Sequence, residues 1–199
     1  MRRIMHLGIV LSVGMLASPA FAGPILDPTA TVQSSDLGGG EFDYKITLTN
    51  SASSPAPIGT FWYSWVPGKD FLDKAPLSVT SPTGWTNMVT NEGSADGFAI
   101  QWVANPANVP ANVLAAGKSL TFEFTSTETP AQLMGNSPFF PPIPEGTSFV
   151  YSGAPFSDPG TEFVVTAAST VPEPSSLALA LVGGLALIAH KRFGRRTRA

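Results

Sequence analysis

Cysteine is absent from all 199 residues. No disulfide can hold this fold, so packing must, and every cysteine-ligated metal site and cysteine nucleophile is excluded. Histidine is nearly as scarce. His6 and His190 lie near the two ends, and residues 23–171 contain no histidine, no cysteine and no arginine. That span cannot assemble a Ser-His-Asp or Cys-His triad, a histidine-ligated zinc or a guanidinium clamp for phosphate. The GxGxxG and P-loop patterns of phosphate-binding turns are missing too. Acid–base chemistry, if any, falls to carboxylates, lysine or tyrosine.

Positive charge is also in short supply where the chain would fold. All 14 acidic residues lie between Asp27 and Glu173, and only Lys45, Lys69, Lys74 and Lys118 accompany them. This stretch carries a formal −10, whereas the whole chain carries −3. Such an acidic body disfavours nucleic acid and anionic membrane surfaces as partners. The remaining lysine and arginine sit at the two ends.

Those ends have their own character. Arg2 and Arg3 precede an apolar stretch at 7–16, and Ala20-Phe21-Ala22 forms an A-x-A site. This is the layout of a secretory signal peptide over 1–22, cleaved before Gly23. At the other end, Pro172-Glu173-Pro174 is followed by Ser175 and Ser176, by the uncharged run LALALVGGLALIA at 177–189, and by Lys191, Arg192, Arg195, Arg196 and Arg198. The two prolines hold φ near −65° and push their neighbours into extended shapes, so the Pro-Glu-Pro segment is expected to be open to an enzyme. A serine can cap the helix that follows. The basic cluster marks the cytoplasmic end by the positive-inside rule and places the body outside. Thirteen apolar residues make only about 20 Å of helix against a hydrocarbon core of about 30 Å. Snorkelling of Lys191 and Arg192 and local thinning of the bilayer cover part of the difference.

A Pro-Glu-Pro motif, an apolar helix and a basic end together resemble the PEP-CTERM sorting signal of bacterial exported proteins. The resemblance implies processing by an exosortase. It implies a single-pass intermediate in the inner membrane with the body in the periplasm, then release to the cell surface or extracellular matrix. The expected organisation is a signal peptide at 1–22, one exported domain at 23–170 and a sorting signal at 171–199.

The exported part, about 150 residues, is large enough for a single core. It reads as strands. In EFDYKITLTN (41–50), Phe42, Tyr44, Ile46 and Leu48 share one face while Asp43, Lys45, Thr47 and Thr49 share the other. Residues 118–126 repeat the pattern with Leu120, Phe122 and Phe124 inward. Period-two alternation marks half-buried antiparallel strands. Further strands are expected at 29–34, 58–66, 77–80, 85–90, 98–104, 147–151 and 162–167, separated by clusters of Ser, Asn, Pro and Gly. No segment of the body sustains a helical stripe. The fold class is therefore all-β, a single antiparallel β-sandwich of about eight or nine strands.

Two connections stand out. NEGSADG (91–97) fits a hairpin loop, because Asn, Gly and Asp supply the backbone angles of tight turns. Glu92 and Asp96 there are the oxygen ligands of an alternative calcium reading, which the missing D-x-D-x-D spacing weakens. The proline-rich connection at 130–146 is long for a compact domain. Phe139 and Phe140 are expected to pin it to the sandwich.

Aromatic side chains carry the one hint of a ligand. Along 61–66, alternation sends Trp62 to one face and Phe61, Tyr63 and Trp65 to the other. Large rings usually fill cores. An exposed row of Trp62, Tyr63 and Trp65 would instead stack on sugars.

The body also resembles a set of exported PEP-CTERM proteins through IGTFWYSWVPGKDF (58–71), GFAIQW (97–102) and TSFVYSGAPFSDPG (147–160). No activity comes with that resemblance. By association, the exosortase system implies an envelope or biofilm rich in exopolysaccharide. The expectation is a non-catalytic surface or matrix protein with no cofactor and no metal. The alternatives are a carbohydrate-binding module-like domain and, behind it, a carboxylate-dependent glycosidase using Asp70 and Asp73.

Overall fold

The computed structural model describes residues 26–91, 96–105 and 112–169. The signal segment, the Pro-Glu-Pro motif, the apolar run at 177–189, the basic end and the expected domain boundaries lie outside them. The described chain forms twelve strands and one helical turn. In order these are β1 (Pro28–Gly38), β2 (Glu41–Asn50), β3 (Thr60–Tyr63), β4 (Trp65–Val66), β5 (Lys69–Asp70), β6 (Ser78–Thr80), β7 (Trp85–Thr90), β8 (Ala99–Ala104), β9 (Ser119–Ser126), α1 (Pro130–Leu133), β10 (Thr147–Tyr151), β11 (Thr161–Val164) and β12 (Thr166–Ala167). No helix among the described residues is long and apolar enough to cross a membrane.

Two five-stranded sheets carry the fold, ordered β12-β1-β2-β9-β6 and β11-β10-β3-β8-β7, with β4 and β5 as a separate ribbon. The β1–β2 hairpin turns through Gly38, Gly39 and Gly40, whose φ values of 85°, 67° and 85° are open to glycine and strained for other residues. From that hairpin the alternating pattern of β2 sets the register. Tyr44, Ile46 and Leu48 stand opposite Phe124, Phe122 and Leu120 of β9, and Tyr44, Ile46, Leu48, Phe122 and Phe124 are buried. Their polar neighbours face out, where Lys45 lies 3.3 Å from Glu123.

The core joins the two sheets. Phe122 of β9 meets Phe61 of β3 at 5.2 Å between ring centroids and Trp102 of β8 at 5.1 Å. Tyr63 meets Phe124 at 5.4 Å. One cluster therefore contains residues of both inner faces, as the twofold period of each strand requires. A second cluster, Trp62, Trp65, Ala99, Phe149 and Tyr151, is separate from it.

Three features depart from the expected pattern. The strand count exceeds eight or nine because β5 falls outside every expected strand and two expected strands are each broken in two. The 58–66 strand breaks at Ser64, which has φ 59°. The 162–167 strand breaks at Val165, which is buried in the core. Here the chain leaves β10 as its partner and joins β1, so β11 belongs to one sheet and β12 to the other. The third departure is that β12 runs parallel to β1, so the first sheet is not purely antiparallel.

Candidate functional site

The strongest concentration of unusual chemistry lies where β9 ends and the proline-rich connection begins and ends. After Ser126, the Glu128 amide donates to Ser126 Oγ at 3.0 Å. The chain then enters α1 through a capping box. Thr129 Oγ1 accepts from the Gln132 amide, and Gln132 Oε1 accepts from the Thr129 amide. Pro130 at the first turn costs no hydrogen bond there. The connection returns through an isolated bridge between Asn136 and Pro144. The Glu145 amide donates to the Gly135 carbonyl at 3.0 Å, immediately before β10. Closing this loop brings Glu128 and Glu145 together.

Both glutamates are buried, at 0% and 2% exposure. Their carboxyls interact, each shifting the other's affinity for a proton. Glu128 Oε1 accepts the Lys74 amide at 2.5 Å, whereas Glu128 Oε2 and Glu145 Oε2 have no hydrogen-bond partner. Burial first, then the charge of Glu128, pushes Glu145 up to about 9. Glu128 is raised as well, by burial above all, with the Glu145 contact and the Lys74 amide pulling it back. Asp73 raises both carboxyls further. At neutral pH the pair keeps a proton, because burial beside a like charge disfavours a second ionised carboxyl.

Two tyrosines border the pair. Tyr44 Oη donates to the Glu128 carbonyl at 2.5 Å, tying β2 to this corner. Burial raises the Tyr44 phenol, and Glu128 and Glu145 add to the effect. The fully buried Tyr63 is raised by the same causes, with Glu145 ahead of Glu128. A cleft of about 180 Å³ opens beside the pair, lined by Asp73, Gln132, Gly135, Asn136, Pro138 and Glu145. Among the described residues no group of three or more His, Cys, Asp or Glu is arranged to hold a metal ion.

This arrangement holds a proton and ties three segments together: the stretch after β5, the β9–α1 junction and the entry to β10.

The residues singled out in the sequence fall elsewhere. Trp62, Tyr63 and Trp65 are buried at 2%, 0% and 0%, so these rings fill cores, and the alternative of an exposed stacking row is not on the surface. Tyr63 packs in the main core and Trp62 against Trp65 in the second cluster. Asp70 is buried on β5, and its amide is 3.4 Å from Asp96 Oδ2. Asp73 has Glu128 and Glu145 as electrostatic partners. Asp96 is half-buried, and Glu92 lies outside the described residues. Phe140 pins the proline-rich connection by packing edge-on against Phe71 at 5.5 Å, while Phe139 stays 37% exposed. Pro172, Glu173, Pro174, Lys191, Arg192, Arg195 and Arg196 lie outside the described residues. Sequence reasoning missed the glutamate pair, since two acids in separate turns, TSTET and PIPEG, carry no periodic signal.

No curated protein matches the chain in sequence. Residues 170–198 match the family model of the PEP-CTERM protein-sorting motif. The chain therefore carries, over residues 170–198, the sorting motif of exported proteins that an exosortase processes.

Proposed function

We propose that this protein is a non-catalytic component of the cell surface or extracellular matrix, associated with exopolysaccharide or biofilm and delivered there by its sorting motif. Its working part is a two-sheet β-sandwich. The signal peptide at 1–22 takes the body across the inner membrane. The helix at 177–189 and the basic end hold it there until an exosortase acts at Pro172-Glu173-Pro174.

The observation that carries this reading is the sorting motif at 170–198 on a β-rich body. Two further observations support it. Residues 23–171 lack histidine, cysteine and arginine. The Glu128–Glu145 pair is nearly closed to solvent. Carbohydrate binding through Trp62, Tyr63 and Trp65 has less support, because those rings are covered.

Intact-mass analysis of protein from exosortase-bearing native cells tests the delivery. The expected species lacks residues 1–22 and the apolar run at 177–189. Replacing Pro172, Glu173 and Pro174 with alanine should leave the protein in the inner-membrane fraction. Recovery of a surface species that retains 177–199 would overturn the proposal.

A further inference from the structure

The last sheet contact of the body lies close to the sorting motif. Strand β12 pairs with β1 through Thr166 opposite Thr31 and Ala167 opposite Val32, and the Ala168 amide donates to the Val32 carbonyl at 2.9 Å. Only Ser169, Thr170 and Val171 separate Ala168 from Pro172. A chain spans at most about 3.6 Å per residue, so Pro172 stays within about 14 Å of Ala168 while β12 is paired. A helix or a sheet layer is itself about 10 Å thick. Binding sites enclose most of their ligand's surface, which takes protein on more than one side. A paired β12 leaves room for a single layer between the motif and the body, and only with the connecting residues fully extended.

Strand β12 is also built to let go. Its two residues, Thr166 and Ala167, are both exposed at the edge of their sheet, and their pairing is parallel, the weaker kind. Exposed hydrogen bonds at chain ends with few apolar contacts open at the lowest cost in a fold. The residue before β12 is the firm one. Val165 is buried in the main core, and its amide donates to the Gly146 carbonyl at 2.9 Å. Release therefore stops at Val165, and the reach to Pro172 grows to about 25 Å.

We propose that β12 is a releasable strap: it holds the sorting motif against the body and comes off β1 before the exosortase closes on Pro172-Glu173-Pro174. The strap rests on the exosortase processing proposed for this motif. It makes the folded body, through one edge strand, the element that sets how readily the motif is taken.

The exposed pair Thr31 and Thr166 provides a lock. Neighbouring strands lie about 4.8 Å apart, within the Cα separation that a disulfide spans, and the chain has no cysteine of its own to compete. Thr31→Cys and Thr166→Cys are combined in the full chain, and processing is followed by intact mass in native cells that process the unaltered protein. That control separates failure of the strap from failure of the delivery reading. The oxidised double variant is expected to accumulate unprocessed, while each single variant matures normally. Reductant added to the cells should restore maturation of the double variant. So should a Gly-Ser-Gly-Ser-Gly-Ser insertion after Ser169 in the locked chain, which lengthens the tether without freeing β12. Maturation of the locked chain at the rate of the unaltered protein, or no rescue by reductant and insertion, refutes the proposal.

Discussion

Trp62 and Trp65 stack on each other, with ring centroids 4.1 Å apart and planes 16° from parallel. Residues three apart on an unbroken strand point to opposite faces. Ser64, between them with φ 59°, ends β3 and turns Trp65 back to the side of Trp62. Phe61 and Tyr63 stay in the main core, and the tryptophan pair joins Phe149 and Tyr151.

Ser64 is therefore expected to be a costly serine. Left-handed backbone disfavours any residue with a Cβ by about 1–2 kcal/mol, and its buried Oγ has no hydrogen-bond partner. Ser64→Gly should stabilise the protein by about 1 kcal/mol. Ser64→Val should destabilise it by at least that much, because a branched Cβ resists this conformation. Urea melts on the two variants measure both shifts, and a gain for valine would contradict the account of the turn.

Stability should fall as pH rises. Glu145 is raised in the folded state to about 9 from an ordinary 4.5. Between those values the folded protein holds a proton that the unfolded chain has released. Its stabilising effect is complete below the ordinary carboxylate value, and it is lost as pH rises towards 9. The slope is at most about 1.4 kcal/mol per pH unit for one proton. Melts across this window should show the decline. Glu145→Gln, which keeps the shape and can donate to Glu128 without titrating, should flatten it.

The two faces of the central strands should differ in cost. Phe122→Ala and Ile46→Ala remove fully buried side chains and should cost about 2–5 kcal/mol. Thr121 is exposed on the outer face of β9, so Thr121→Ala should cost under about 1 kcal/mol. Equal losses in denaturant would mean that the outer face is covered.

Affinity gels and glycoside screens address the remaining alternatives. No hydrolysis is expected on polysaccharides or aryl glycosides, and Asp70→Asn or Asp73→Asn should leave that background unchanged. Trp62→Ala should lower stability by about 3–5 kcal/mol as a core deletion without changing retention in a polysaccharide gel. A hydrolytic rate abolished by either aspartate change would assign this protein to the glycosidases.

The all-β character, the inward faces of β2 and β9 and the sorting motif could be read from sequence, because each is written locally. A strand's twofold period places its apolar residues on one side wherever the strand lies, and a sorting motif is contiguous. The Ser64 turn, the passage of the chain from one sheet to the other at Val165 and the Glu128–Glu145 contact were decided only by tertiary structure. Nothing in the composition of 61–66 distinguishes a strand that continues from one that turns, and the surrounding rings bury Trp65 only after it does. The two glutamates lie on either side of a proline-rich loop whose closure brings them together. Burial then gives them a proton that neither would keep in water.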